Sequence, residues 1–126
     1  MHSNHLFEYA VIRIVPKVER EEFLNVGIIL YCRDLDFLQT IYRINENKLK
    51  AFCGEDCLEE LEKNLAAFNS IAAGKNKTSP IAKLDIASRF RWLTATRSTV
   101  LQTSKVHPGL CADPGVMMEK LFGEYV

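Results

Sequence analysis

The 126-residue chain lacks a long apolar segment, an excess of either charge and any familiar catalytic motif. No run approaches the ~18 consecutive apolar residues of a membrane-spanning helix, and the start of the sequence does not show the basic and apolar regions of a secretory signal. Sixteen basic residues balance sixteen acidic ones, which argues against a strongly basic nucleic-acid module. No Walker loop, dinucleotide-binding glycine motif or His-Glu-x-x-His pattern occurs. We therefore expect no membrane association and no cofactor.

Cysteine is also sparse, with four residues and no Cys-x-x-Cys spacing. Cys53 and Cys57 are four residues apart and could share a helix face, but no second pair completes a tetrahedral zinc site. The conceivable extra ligands are the histidines His2, His5 and His107. The other interpretation is that all four cysteines are free thiols that behave as small buried apolar side chains. We predict free thiols, no metal site and a reducing, cytoplasmic location.

The composition that remains is typical of a globular protein, with 48% apolar and 25% charged residues. At this length, it predicts a single domain over residues 1–126. Residues 9–15, 25–32 and 37–44 are rich in aliphatic and β-branched side chains and are predicted strands. Their short connections favour an antiparallel meander.

The middle and the end of the chain show helix signals. Asn45 is the predicted N-cap of a short helix that ends at Gly54. Residues 55–73 carry apolar side chains at steps of three and four, which predicts a long amphipathic helix. Its acidic first turns are interpreted as a solvated helix start. Asp113 followed by Pro114 predicts the N-cap and first position of a last helix.

Two more strands complete the predicted sheet. Residues 89–93 alternate basic and apolar side chains, and residues 98–103 could pair with them through a short turn. The sum of these elements predicts an α+β fold: a mostly antiparallel sheet of about five strands with helices packed on one face.

Charge is unevenly distributed along the chain. Between Lys75 and Lys105, seven basic residues accompany one acid, Asp85, so this segment has a net charge of +6 and the remainder −6. Arginine suits phosphate or carboxylate because its planar fork donates two parallel hydrogen bonds, and a neighbouring Trp92 could stack single-stranded bases. The segment is either an anion-binding groove or the solvated face of an edge strand with Trp92 in the core.

His107 lies in a Val-His-Pro-Gly sequence that reads as a turn. It is either a general acid or base or a turn residue bonded to local backbone. Ser98 and Cys111 are conceivable nucleophiles, but neither has the sequence setting of an activated one.

Asn25 and Gly27 stand at the head of the most apolar predicted strand. Asparagine satisfies turns, and glycine permits close backbone approach or a bulge. Together with Arg13 and Glu22, these residues either help to form a site or hold the first hairpin in place.

Two blocks of the sequence carry a family resemblance. The first comprises residues 9–16, Glu22 and residues 25–30. The second comprises residues 89–95 and then Arg97, Ser98, Gln102, Ser104, His107, Gly109 and Cys111, followed by Asp113 and Pro114. In this order, they resemble the domain of unknown function 3037 family over nearly the whole chain. One departure is Thr96, where that family often has proline.

The resemblance implies a small bacterial protein without an assigned activity. Some members of that family are encoded beside a kinase similar to the HipA toxin, which implies an accessory or regulatory role and makes such a kinase a candidate partner. The polar residues that fall within the two blocks form the candidate ligand-binding set: Arg13, Glu22, Asn25, Arg91, Arg97, Ser98, Gln102 and His107.

Three functional hypotheses follow. The leading one is a non-catalytic protein that binds a partner protein or an anionic ligand through this polar set. The alternative is an enzyme acting on a phosphate-containing or nucleic-acid substrate, with His107 as general acid or base and Arg91 and Arg97 holding the anion. The third is weak single-strand binding through Trp92 and the basic segment, which predicts affinity that falls steeply with salt.

Overall fold

The computed structural model describes residues 4–16, 20–75, 79–95 and 100–126. The strands in these ranges are β1 (His5–Ile14), β2 (Leu24–Cys32), β3 (Phe37–Tyr42), β4 (Leu101–Thr103) and β5 (His107–Cys111). The α-helices are α1 (Glu46–Cys53), α2 (Glu55–Ala73), α3 (Ile86–Leu93) and α4 (Pro114–Tyr125). A single 3-10 turn, Ile81–Lys83, precedes α3.

The five strands form one antiparallel sheet around β1. One edge of β1 pairs with β2, and β2 pairs with β3, so the first three strands form the predicted meander. The other edge of β1 pairs with two short strands in succession: β4 along residues 12–14 and β5 along residues 5–9. The α+β class and the mostly antiparallel sheet of five strands are confirmed.

Apolar side chains cover both faces of β1. Ala10, Ile12 and Ile14 lie in a core shared with α1, α2 and α3, whereas Phe7 and Val11 lie in a second core with α4. Successive side chains of a strand point to opposite faces, so α4 packs against the face that the other three helices leave uncovered. This corrects the expectation of helices on one face. Helical periodicity shows that a helix has an apolar side but does not show which face of the sheet receives it.

The predicted helix ends are confirmed. The side chain of Asn45 accepts a hydrogen bond from the backbone three residues on, and Asp113 caps α4 with Pro114 at its first turn. Gly54, with φ +86°, separates α1 from α2, and Gly74 ends α2 in the left-handed conformation with φ +70°. The apolar stripe of α2 is buried as predicted, through Leu58, Leu61, Leu65, Phe68 and Ile71.

Two predicted elements are wrong. Residues 89–93 belong to helix α3 and not to a strand, because Phe90 and Leu93, three positions apart, are the side chains that enter the core. Trp92, expected in the core or beside a groove, is 39% exposed and lines a cavity of about 240 Å³ together with Gln102, as the second of these alternatives predicts. The predicted turn around His107 is instead strand β5. Pro108 is tolerated there because β1 is the one strand of the described residues that pairs with β5, and the outer side of an edge strand needs no ladder donor.

The prediction of four free thiols is wrong for two of them. Cys53 ends α1 and Cys57 lies in the first turn of α2, and they form a disulfide with their Cα atoms 5.6 Å apart. The helix break at Gly54 brings the two residues to this separation. Cys32 and Cys111 are free and buried, as predicted.

Candidate functional site

Three residues of the predicted set form one row across the sheet. Arg13 in β1 pairs directly with Asn25 in β2 and with Gln102 in β4. Directly opposed residues of an antiparallel sheet share a face. This is the face that α4 partly covers, because Arg13 alternates with Ile12 and Ile14, which lie in the core of the other face. We call these three residues the Arg13 row.

The guanidinium of Arg13 lies over an exposed aromatic ring. Its central carbon is 4.1 Å from the centroid of Phe23, a cation–π contact. Its Nε is buried and has no hydrogen-bond partner among the described residues, and none of the ion pairs in that part of the chain involves it. Burial lowers the pKa of Arg13 from its ordinary value. The side chain is therefore a partly desolvated cation that lacks a counter-charge within the described residues.

Asn25 is held in the row by the end of α4 and by a bulge. Its Nδ2 donates to the carbonyl of Tyr125 at 3.2 Å. Its Oδ1 is buried and accepts no hydrogen bond from any described residue. Because Ile12 pairs with Gly27 and Arg13 with Asn25, Val26 is an extra residue in β2. This β-bulge turns Asn25 towards the face of Arg13.

Gly27 allows β3 to approach β2 at the bulge. A Cβ at this position would lie 2.5 Å from the carbonyl oxygen of Ile41 and 2.7 Å from Cβ of Tyr42. Only glycine fits this approach without a backbone shift. The Asn-Val-Gly sequence singled out above therefore forms a bulge, and its first residue reaches the Arg13 row.

His107 lies on the same face of the sheet as the Arg13 row, but further along β1. It pairs with Tyr9 of β1, and the two rings lie 5.4 Å apart between centroids. The hydroxyls of Tyr9 and Tyr125 are 3.1 Å apart. Desolvation, followed by this hydrogen bond, raises the pKa of Tyr9 to about 12. Tyr9 is four residues from Arg13, which places His107 about 13 Å along the sheet from the Arg13 row.

Ser104 joins the two short strands that border β1. Its backbone N–H donates to the carbonyl of Val11, and its Oγ accepts from the Val11 N–H, both at 2.8 Å. The serine side chain thus completes the β1 ladder between β4 and β5. In β5, a Cβ at Gly109 would lie 2.5 Å from Cζ of Phe7, so a larger residue there would displace this buried ring.

Arg91 lies on the opposite face of the sheet from His107. It projects from α3 and forms an ion pair with Glu8, in which one guanidinium nitrogen, Nη2, lies 2.7 and 2.9 Å from the two carboxylate oxygens. Glu8 and Tyr9 are consecutive in β1 and so point to opposite faces. The enzyme hypothesis required His107 to approach Arg91, and the structure does not bring them together. The Arg91–Glu8 pair lines a separate groove of about 1030 Å³ between α3 and the β2–β3 turn.

Three residues of the predicted set remain: Glu22, Arg97 and Ser98. Glu22 is exposed, pairs with Arg20 at 2.7 Å and lines a cavity beside Cys53 and Cys57. Arg97 and Ser98 lie outside the described residues. Arg89, from the same basic segment, donates to the carbonyl of Leu84 at 2.7 Å.

The chain is also similar to a known group of sequences. The model of the family described as "Protein of unknown function (DUF3037)" matches residues 9–126. The chain belongs to the DUF3037 family. No curated protein and no solved structure matches it.

In this DUF3037 protein, the sequence did not predict the contacts between segments that are far apart along the chain. Phe23 beneath Arg13, Tyr125 beside Asn25 and the Ser104 link all depend on strand pairing that no local pattern reveals. Phe23 carried one usable signal in the sequence, because it is an aromatic residue next to a run of charged residues. In the structure, it is 48% exposed.

Metal-binding clusters and membrane-spanning helices are two further features that would indicate a function for this DUF3037 chain. Within the described ranges, no three His, Cys, Asp or Glu side chains converge as metal ligands. Among the same residues, no helix combines the length and apolar content needed to cross a bilayer. On the α4 face, the described polar groups named above are the Arg13 cation, the Asn25 and Gln102 amides, the His107 imidazole and the hydroxyls of Tyr9 and Tyr125.

Proposed function

We propose that this DUF3037 protein is a non-catalytic accessory protein that binds an anionic group of a partner protein or ligand at the Arg13 row. The observation that carries the proposal is the partly buried Arg13 cation on Phe23, with Nε lacking a partner among the described residues. A buried polar group without a partner lowers stability, and a charged one does so most. A carboxylate or phosphate arriving from solvent would supply the missing counter-charge to the guanidinium, whose residue is only partly buried.

The neighbours of Arg13 suit this role. Stacking on Phe23 fixes the plane of the guanidinium, which favours a bidentate contact with a planar or tetrahedral oxyanion. Asn25 and Gln102 flank it from the adjacent strands, and amide groups add hydrogen bonds without competing charge. The row sits on paired strands, so little ordering accompanies binding.

Catalysis is not favoured by the same geometry. His107 is about 13 Å from the Arg13 row along β1, and Arg91 is engaged by Glu8 on the other face. A general acid or base has to lie within hydrogen-bond reach of the group it serves. The alternative of an enzyme with His107 as general acid or base and Arg91 and Arg97 holding the anion therefore has no supporting contact among the described residues, which do not include Arg97.

The partner class follows from the resemblance and belongs to the proposal. We infer a bacterial, cytoplasmic accessory role, and a kinase similar to the HipA toxin is the first partner to test. Binding of inorganic phosphate and of the kinase should depend on the same arginine.

The test compares three variants with the wild type. Arg13→Ala removes the cation, Arg13→Lys retains charge but not the planar fork, and Arg43→Ala is the matched control. Arg43 is an exposed arginine that also contacts an aromatic ring, with its central carbon 5.4 Å from the centroid of Phe122. Thermal shifts are measured with inorganic phosphate, acetate, nucleotides and short single-stranded oligonucleotides at low and high salt, and kinase binding by pull-down.

The expected result separates Arg13 from Arg43. A charge-assisted hydrogen bond contributes about 1.5–3 kcal/mol, so Arg13→Ala should weaken binding at least about tenfold. Arg13→Lys should retain part of the affinity, and Arg43→Ala all of it. Full binding by a folded Arg13→Ala protein would reject the site. A response to oligonucleotides alone, lost at high salt, would favour single-strand binding instead.

A further inference from the structure

A second chemical feature lies away from the Arg13 row, at the junction of α1 and α2. The disulfide between Cys53 and Cys57 joins the last residue of α1 to the first turn of α2 across Gly54. The two cysteines are only four positions apart in the sequence. The bond therefore closes a very small ring and constrains one helix junction, not the relation between distant parts of the chain.

The two sulfurs can be approached from solvent. Cys53 and Cys57 are each only partly buried, and they line an open cavity of about 470 Å³. Thiol–disulfide exchange requires an attacking thiolate to reach one sulfur of the bond, and this cavity provides the path. Its other walls include Arg20, Glu22 and Glu60.

The fold around the junction does not depend on the bond. Leu49 of α1 and Leu61 of α2 are fully buried in the same core, and Leu58 is 8% exposed. These contacts hold both helices against the sheet whether or not the sulfurs are joined. Oxidised and reduced forms should therefore both be folded, which a reversible reaction requires.

The other two cysteines differ from this pair in bonding and in exposure to solvent. Cys32 and Cys111 are free and buried in the core beneath α4. Burial raises the pKa of the Cys111 thiol, with a further contribution from Cys32. The reactive form of cysteine is the thiolate, so this second pair should be inert and provides an internal control.

We propose that Cys53 and Cys57 form a redox-modification site that exchanges reversibly with glutathione or a similar low-molecular-weight thiol. One glutathione thiolate attacks one sulfur, forms a mixed disulfide and releases the other cysteine as a thiolate, which takes up a proton. A second glutathione thiolate attacks the mixed disulfide, releasing the first cysteine and oxidised glutathione. The pair gains two electrons and two protons in total. In the reverse direction, one cysteine thiolate attacks oxidised glutathione and releases one glutathione thiolate, and the second cysteine thiolate then attacks the mixed disulfide and releases the other.

The experiment equilibrates the full chain in buffers of varied reduced-to-oxidised glutathione ratio. Free thiols are then trapped by rapid alkylation, and each cysteine peptide is quantified by mass spectrometry. We expect Cys53 and Cys57 to change together from alkylated to disulfide as the buffer becomes oxidising, with two electrons per chain. Cys32 and Cys111 should be recovered as thiols at every ratio when they are alkylated after unfolding.

Variants that retain only one cysteine of the pair identify the mixed disulfide with glutathione. In Cys53→Ser and Cys57→Ser, the remaining cysteine of the pair should accumulate one glutathione per chain, while circular dichroism shows an unchanged fold. If the disulfide persists at every glutathione ratio, it has a structural role only. If it forms at none of them, Cys53 and Cys57 are two free thiols. Either result, or loss of the fold upon reduction, would overturn the proposal.

Discussion

Arg13 and Asn25 face each other across β1 and β2, and each has a buried polar atom without a partner among the described residues: Nε of Arg13 and Oδ1 of Asn25. Buried polar groups are nearly always hydrogen-bonded. Nε of Arg13 is a donor and calls for an acceptor such as a carboxylate or phosphate, whereas Oδ1 of Asn25 is itself an acceptor, which an anion does not satisfy. The proposed anion site therefore rests on Arg13, with Asn25 beside it.

Replacing Asn25 with aspartate should fill the anion site from within the chain. In Asn25→Asp, a carboxylate would face Arg13 directly, and it should compete with any external anion for the guanidinium. We expect affinity for inorganic phosphate to fall at least about tenfold, as measured by calorimetric titration. Asn47→Asp, which adds the same charge at an exposed position of α1, should bind as the wild type does. Equal losses in both variants would show a general charge effect.

Removal of Arg91 should leave anion binding intact. Its ion pair with Glu8 is partly exposed, with 57% of the Arg91 side chain and 24% of the Glu8 side chain accessible, and ion pairs near the surface contribute at most about 1 kcal/mol. Arg91→Ala should therefore lower the free energy of unfolding by no more than that, as read from urea denaturation. Loss of phosphate binding in this variant would place the anion site on the α3 face.

Gly27→Ala should destabilise the fold because its Cβ would lie 2.5 Å from the backbone of β3. Overpacking of this kind costs about 1–3 kcal/mol. The control is Gly123→Ala in α4, where a Cβ would meet nothing within 4 Å and alanine should add about 0.5–1 kcal/mol. Denaturant unfolding of both variants measures the contrast. Equal stabilities for the two would contradict the close approach of β2 and β3.

Tyr9 should make the folded state sensitive to alkaline pH. Its pKa is raised from 10.0 to about 12, so the folded chain retains this proton when the unfolded chain has lost it. The resulting stability is present below pH 10 and is lost as the pH rises towards 12. The free energy of unfolding should fall less steeply over this range in Tyr9→Phe. Identical slopes would show that Tyr9 titrates alike in both states.

Local sequence signals predicted the elements that depend on neighbouring residues. The meander of β1 to β3, the Asn45 and Asp113 caps and the bounds of α2 all arise from propensity, periodicity and end residues within one segment. Segment 89–93 failed because five alternating residues fit both a strand and a helix.

The candidate site was only partly predictable for the same reason. Arg13 and Asn25 belong to one hairpin, so their proximity could be expected from the meander. The positions of Gln102 and His107 depend on which residues of β1 pair with β4 and which pair with β5. This register places Gln102 opposite Arg13 and His107 opposite Tyr9, four residues away. Register between distant segments has no local signature, so Arg91 and His107 were grouped although the sheet separates them.

The most direct test follows the Nε–H resonance of Arg13 by heteronuclear NMR, assigned by its loss in Arg13→Lys. Isotope-labelled protein is titrated with inorganic phosphate and, separately, with an unlabelled kinase similar to the HipA toxin. The account predicts a saturable shift of the Arg13 Nε–H and Asn25 side-chain amide signals in at least one titration, while the Arg43 signal stays fixed. Unchanged Arg13 and Asn25 signals in both titrations, or equal shifts at Arg13 and Arg43, would contradict it.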